Sequence, residues 1–383
     1  MAHTHRPNRG IAPFISSFLL ICQLGFCFTP NGRSAESRPR LKTSHVLLIT
    51  TDGFRWQELF TGAEEALLAQ TNSGMKNVEL LRRQFGRETP EARREALLPF
   101  FWSTIARQGQ LWGNTNRGSV VRVANTFKFS YPGYNELLTG LADPRIDSND
   151  KKPNPNTNVL EWLGTRRAFP NRCAAFASWD VFPYILNRDR NQLHVRAGIE
   201  PIAVGKLTPR QELLNTLIAE TTPLWDGLLH DSFTFQGALD YFKAHRPRLL
   251  YVALDETDDW AHDGRYDRYL QAAHRADDYV RQLWELAQSL PDYRDKTTLL
   301  ITTDHGRGSG LKGWREHGKE TAGAEYIWLA ALGPDTPALG ERSDTDPIWQ
   351  KQMAATVAGL LGEDYCAAFP QAGKPIAQLY GKP

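Results

Sequence analysis

Six residues have the types that bind divalent cations, and they stand where a folded chain could bring them together. Asp52 follows the run Val46–Thr51, V-L-L-I-T-T, and opens D-G-F-R. Asp258 and His262 form D-x-x-x-H just past the apolar run Arg248–Leu254. Asp304 and His305 close T-T-L-L-I-T-T-D-H, and His317 follows in W-R-E-H-G. Aspartate oxygen with histidine nitrogen is a ligand set for zinc-like metals, and catalytic sites leave a position open for substrate. The six residues fill two sites of three protein ligands each. Two divalent cations bring four positive charges, which three carboxylates and one serine alkoxide offset; Ser130 is the candidate for that alkoxide. Two cations also clamp the attacking and leaving oxygens of phosphoryl transfer. Each fragment alone is weak: D-H-G arises by chance, a lone His317 reads as structural, and Asp255, Glu256, Asp259 and Asp263 compete.

The order and placement of the fragments give them weight. Short, continuous apolar runs are characteristic of strands buried on both faces of a parallel sheet. An aspartate ending such a strand sits at the carboxyl edge, where open α/β folds bind ligands. Ser130 opens S-Y-P-G-Y-N-E-L-L-T-G, in which Pro132 suits a helix start and Gly140 a helix end. A helix N-terminus offers free N–H groups and a positive dipole end to an anion, although an ordinary N-cap serine looks the same in sequence. Helices are predicted at Glu79–Arg87, Glu91–Leu98, Pro99–Gly109, Val159–Thr165, Thr208–Ala219, Phe233–His245 and Pro347–Leu361. A long one is predicted at Tyr266–Leu290, with Leu270, Ala273, Val280 and Leu283 at helical spacing. Further strands are predicted at Leu111–Thr115, Gly118–Val123, Cys173–Ala177 and Ala324–Leu332. The alternation predicts an α/β fold with a mainly parallel central sheet flanked by helices.

Length allows one large α/β domain or two smaller ones. The 45 basic and 43 acidic residues nearly balance, so no nucleic-acid-binding signature is present. Residues 1–35 read as an export signal: Arg6 and Arg9 precede the apolar Ile11–Phe28, and Ser34-Ala35 follows. That predicts an exported protein, periplasmic or extracellular, with no stable membrane span after cleavage; an uncleaved anchor is the alternative. Residues 36–383 then form one metallohydrolase domain, in which about 145–245 includes a cap or insertion over the active edge. Cys173 and Cys366 are the cysteines left outside the signal, and either a disulfide or two free thiols fits them.

In chain order, I-T-T-D-G-F-R, S-Y-P-G-Y-N-E-L-L-T-G, D-D-W-A-H, T-T-D-H-G and an H-G ahead of a strand and G-P resemble the alkaline phosphatase superfamily. The likeness is greatest to its type I phosphodiesterase/nucleotide pyrophosphatase branch and spans about residues 45–334. It implies an alkaline phosphatase-like sandwich, with one metal on Asp258, His262 and His317. The other would lie on Asp52, Asp304 and His305, with the Ser130 oxygen bound to it. Ser130 would attack phosphorus and form a phosphoseryl intermediate; Thr126 is the second candidate nucleophile. Zinc suits the ligand set best and manganese also fits. The branch usually has threonine then Pro-Asn, where this chain has Ser130 and Pro132-Gly133. Sulfatases need an arginine where Tyr134 stands. Arg307, Lys312, Asn154 and Asn156 are the candidate substrate contacts, with Asn149 and Asn158 competing in the same loop. The expected activity is metal-dependent hydrolysis of a small-molecule phosphoric ester, by a phosphatase or phosphodiesterase. The alternatives are a phosphonate hydrolase, a sulfatase-like or phosphomutase-like relative, and an inactive binding protein of this fold.

Overall fold

The computed structural model describes residues 41–69, 75, 77–203 and 205–380. The chain divides into Met1–Pro39 and Arg40–Pro383, and the expected export signal lies outside the described residues. Among the described residues of the second unit, eleven strands form. They are β1 (His45–Thr51), β2 (Gln110–Trp112), β3 (Val121–Arg122), β4 (Cys173–Ala177), β5 (His194–Ala197) and β6 (Leu249–Leu254), followed by β7 (Thr297–Thr302), β8 (Tyr326–Ile327), β9 (Leu329–Leu332), β10 (Gly340–Glu341) and β11 (Ile348–Trp349). Eight make the central sheet in the order β10-β2-β9-β7-β1-β6-β4-β5, and β11-β3-β8 make a small second sheet. The five strands β7, β1, β6, β4 and β5 run parallel, and β9 is antiparallel to both its neighbours.

Strand β1 is central because all seven of its residues are buried. Val46 and Leu48 join the core on one face, with Tyr134, Leu137 and Leu138 of helix Ser130–Thr139. Leu47 and Ile49 join the core on the other face, with Leu270, Ala273 and Val280 of helix Tyr266–Ser289. Both faces are covered, so the strand needs apolar residues at every position rather than at alternate ones. The same register places Asp52, Asp258 and Asp304 beyond the ends of β1, β6 and β7, at one edge of the sheet.

Two expectations need adjustment. The predicted strand Ala324–Leu332 breaks at Trp328, leaving β8 in the small sheet and β9 in the large one. The buried Trp328 indole donates to the Phe54 carbonyl at 2.8 Å, which ties that break to the loop after Asp52. Pro347–Leu361 is strand β11, a short 3₁₀ turn and helix Met353–Leu360 rather than one helix. Within residues 145–245, β4 and β5 extend the central sheet, while a separate small core of Ile202, Leu214, Ile218 and Leu229 lies under helix Pro209–Glu220. No disulfide joins Cys173 and Cys366, and burial pushes the Cys173 thiol up to about 12.

Candidate metal centre

The turn after β1 is built around Gly53. Its φ is +55°, and a Cβ there would lie 2.6 Å from Asp258 Oδ1 and 2.9 Å from Arg307 Nε. Only glycine satisfies both the left-handed backbone and that approach. Its N–H donates to Asp304 Oδ1 at 3.1 Å, so the D-G pair links the ends of β1 and β7. Asp52 beside it is 1 % exposed. Asp52 Oδ2 accepts from the Tyr134 hydroxyl at 2.9 Å, and Oδ1 lies 3.2 Å from His305 Nε2.

His305 is the hub. Its Nδ1 stands 3.0 Å from the Gly306 carbonyl, an arrangement that places the proton on Nδ1 and leaves the Nε2 lone pair free. That Nε2 faces Asp52 Oδ1, Asp304 Oδ2 at 3.5 Å and Asp258 Oδ1 at 3.6 Å. Asp258, His305 and His317 converge closely enough to share one cation, and so do Asp52, Asp304 and His305. His262 stands in D-x-x-x-H on helix Glu256–His262, and its Nε2 is 3.1 Å from Asp258 Oδ2 and 2.8 Å from His317 Nε2. All six sequence-predicted ligands are therefore gathered at one edge. His305 lies between the two groups that the sequence pattern separates.

The donor set fits cations on two independent grounds. Asp52 Oδ1 and Asp304 Oδ2 are buried with no hydrogen-bond partner, and both are aimed at the same imidazole nitrogen. A buried carboxylate oxygen without a donor or cation is costly. The electrostatics agree. Burial, and then a neighbouring carboxylate, push Asp52 and Asp304 well above the usual aspartate range. A divalent cation reverses that effect. Burial acts the same way on Asp258, but Arg307, His317 and His262 outweigh it and hold this carboxyl low. His317 is lowered to about 2 by burial and by His305, so it offers a neutral ring nitrogen.

Ser130 is the first residue of its helix, one position inside the cap expected from sequence, and Phe129 is the N-cap without a side-chain cap bond. Its Oγ is 3.4 Å from His305 Nε2. The helix can approach so closely because residue 133 is glycine: a Cβ there would lie 2.5 Å from the Asp304 carbonyl oxygen. Thr126 is exposed in the preceding bend. Glu136, fully buried, accepts from the N–H groups of Ala124, Asn125 and Lys351 and from the Asn125 side chain. It thereby fixes the segment leading to Ser130.

The expected substrate contacts fare differently. Arg307 is 1 % exposed, and its guanidinium is bonded to Asp258 and to the carbonyls of Gly53 and Arg315. It braces a carboxylate rather than facing a substrate. Lys312 is exposed on the short helix Gly310–Gly313. Asn154 and Asn156 both donate to Asn135 Oδ1, more than a turn along the helix from Ser130. Asn149 instead comes to the helix start, where its Oδ1 accepts from the Tyr131 N–H at 3.0 Å. Nothing in sequence separates these asparagines; only the course of the loop does. The roles of Tyr134 and Glu136 were also missed, because a lone tyrosine or glutamate on an apolar helix carries no pattern.

This fold, with its carboxylate–imidazole edge, is that of the alkaline phosphatase superfamily. Alkaline phosphatase PafA superposes with a TM-score of 0.56 at 11 % identity, covering 90 % of this chain and 100 % of that one. Murine ectonucleotide pyrophosphatase/phosphodiesterase 5, in an inactive form complexed with AMP, gives 0.53 at 13 % identity, covering 84 % and 96 %. A sequence comparison with curated proteins gives no match. The model of the family described as type I phosphodiesterase / nucleotide pyrophosphatase matches residues 81–314, well over half of the chain. The chain belongs to that family, a family of metal-dependent phosphoester hydrolases.

Proposed function

We propose that this protein is an exported phosphodiesterase that uses Ser130 as its nucleophile and holds two divalent cations, most suitably zinc. The observation that carries the reading is the convergence of six candidate ligand side chains on one edge, with the Ser130 hydroxyl at a helix start beside the His305 imidazole. Asp258, His262 and His317 would hold one cation, and Asp52, Asp304 and His305 would hold the other. When bound, the cations supply Lewis-acid stabilisation of charge on the phosphoryl oxygens and on the serine oxygen.

The chain's own residues do the rest. The tautomer of His305 is set by the Gly306 carbonyl, so Nε2 carries no proton towards Ser130. Ser130 releases its proton to water and Oγ attacks phosphorus. An Oγ–P bond forms, the P–O bond to one alcohol breaks, and that alcohol departs with a proton from solvent. Water then cleaves the Oγ–P bond and returns the serine. The N-terminus of helix Ser130–Thr139 favours the negative charge that passes through this point. Support for a hydroxyl nucleophile comes from the murine relative, which is inactive with its threonine changed to alanine.

A diester suits the site better than a monoester. A dianionic monoester calls for extra positive charge beside the phosphoryl oxygens. Among the described residues, three basic groups near the site are engaged elsewhere, and Lys312 is exposed on the short helix Gly310–Gly313. Arg307 bonds to Asp258, Lys128 to the Thr321 carbonyl at 2.9 Å, and Lys151 to Asp180 at 2.6 Å. The test compares an aryl diester with the matching monoester, for the wild type and Ser130→Ala, with metal content measured on both proteins. Faster diester turnover, lost in the variant while metal is retained, is expected. Full activity in the variant would remove Ser130 from the role.

A further inference from the structure

Lys128 stands two residues before Ser130 with φ at +55°. That left-handed backbone crowds a Cβ, and glycine, asparagine and aspartate tolerate it best. Among the described residues, the other non-glycine positions of this kind are Asn171, Asn187, Asp295 and Asp344, with Arg246 at the end of helix Asp231–His245. A lysine held there needs neighbours that fix it, and residues in sparsely populated conformations gather at functional sites.

The neighbours hold it from three sides. Its N–H donates to Asn125 Oδ1 at 2.8 Å, and the Asn125 side chain in turn donates to Glu136 on the nucleophile helix. Its carbonyl accepts from the Gly318 N–H at 2.9 Å, beside His317. Its ammonium donates to the Thr321 carbonyl at 2.9 Å and lies 3.5 Å from Glu325 Oε2. Thr321 turns back on the candidate ligand, donating its hydroxyl to the His317 carbonyl at 3.0 Å. One residue thus binds both ends of the turn 317–321. A Cβ on Gly318 would meet nothing within 4 Å, so no packing contact backs the turn at that point and the hydrogen bonds carry it. Next to this frame, Ser130 Oγ is 3.4 Å from His305 Nε2, and the His305 and His317 ring centroids are 4.2 Å apart.

We infer that Lys128 is a positioning residue that sets the offset between Ser130 and His317, so that the nucleophile and the outer imidazole move as one unit. The inference rests on the proposed roles of those two residues. Lys128 does not act on substrate, because its side chain is 14 % exposed and its charge faces Thr321 and Glu325. Glycine or asparagine would supply the same turn with less strain. What they lack is the reach to the Thr321 carbonyl. The lysine is therefore explained by the staple it makes rather than by the turn it occupies. A staple of this kind matters most where reacting groups stand on separate segments, since a shift of about 1 Å at an attacking atom costs about a hundredfold in rate.

Lys128→Gly separates the staple from the turn, because glycine keeps the left-handed backbone and removes the side chain. Its urea midpoint should stay near the wild-type value, since relief of strain offsets the lost bond and the greater freedom of the unfolded chain. Two other readouts should move. On an aryl diester, kcat should fall about tenfold or more with KM within about threefold, as expected for a misplaced attacking group. In zinc titration of the cation-free protein, one of two sites should weaken by about tenfold while the other stays within about twofold. Lys128→Asn, which also tolerates that backbone, should repeat both changes, and it decides if the glycine variant does not fold. A kcat and zinc affinities within about twofold of the wild type would overturn the inference. So would a loss of kcat that only tracks a lower urea midpoint. Ser130→Ala in the same series keeps the two levels apart. Full activity of that variant, or a wild type that binds no zinc, would overturn the proposed roles and this inference with them. An inactive Ser130→Ala beside an unaffected Lys128→Gly would overturn the inference alone.

Discussion

Tyr134→Phe removes one oxygen and should weaken cation binding without disturbing the fold. The Tyr134 hydroxyl donates to Asp52 Oδ2 at 2.9 Å, and both residues are sealed from water, at 0 % and 1 % exposed. No other donor to that oxygen is present among the described residues. The Tyr134 ring packs edge-on against Phe182, with centroids 4.7 Å apart, and phenylalanine keeps that contact. A hydrogen bond to a charged acceptor contributes about 1.5–3 kcal/mol. At about 1.4 kcal/mol per decade, the loss is roughly 10–100-fold in affinity for a cation that needs Asp52 ionised. The hydroxyl also lowers the Asp52 pKa, so its removal moves cation binding to higher pH. Activity and bound metal should be titrated together in cation buffers at fixed pH. An affinity within about twofold of the wild type would refute the reasoning, because the bond that orients Asp52 would then be immaterial.

Three further outcomes are expected. Glu136→Ala leaves the buried N–H groups of Ala124 and Asn125 without their acceptor; urea denaturation should show a loss of about 1–3 kcal/mol or more, with kcat falling as the segment before Ser130 loosens. Gly133→Asn, which restores the residue usual in the branch, drives a Cβ to within 2.5 Å of the Asp304 carbonyl. It should cost about 1–3 kcal/mol in the same assay, and lower metal content if Asp304 is displaced. Asp277 accepts from the N–H groups of Phe100 and Phe101, and burial raises its carboxyl to about 7, with Asp278 adding and Arg281 opposing. Its folded pKa exceeds the unfolded value of about 3.9, so the folded state holds more protons and stability falls as pH rises from about 4 to about 7. Urea midpoints for the wild type and Asp277→Asn across that window should diverge in slope, with the variant flatter; parallel curves would contradict it.

The parts of this protein that were legible in sequence are those where one local pattern fixes both structure and chemistry. Asp52 could be placed because V-L-L-I-T-T reads as a strand covered on both faces, and D-G after it as a turn at the strand's end. Asp304 and His305 followed from the same logic, and Ser130 from Pro132 and Gly140 around it. Legibility stops where the deciding contact is remote in sequence. Arg307 lies beside D-H-G and looks available for phosphate, but it is committed to Asp258, 49 residues away. Asn154 and Asn156 are indistinguishable from Asn149 in sequence, and the path of the loop alone brings Asn149 to Tyr131. The break at Trp328 is similar: an apolar run carries no mark of the residue that leaves one sheet for another, and the acceptor of its indole is the carbonyl of Phe54, 274 residues earlier in the chain.

The central claim is that Ser130 Oγ becomes bonded to phosphorus during turnover. The direct measurement is acid quench of the metal-loaded protein during hydrolysis of an aryl diester, followed by proteolysis and mass spectrometry of the peptide spanning Ser130. A phosphoryl adduct on Ser130 that appears within the first turnover, and is absent in Ser130→Ala along with activity, is the predicted result. An active enzyme with no adduct on that peptide, or an adduct on Thr126 instead, would contradict the account.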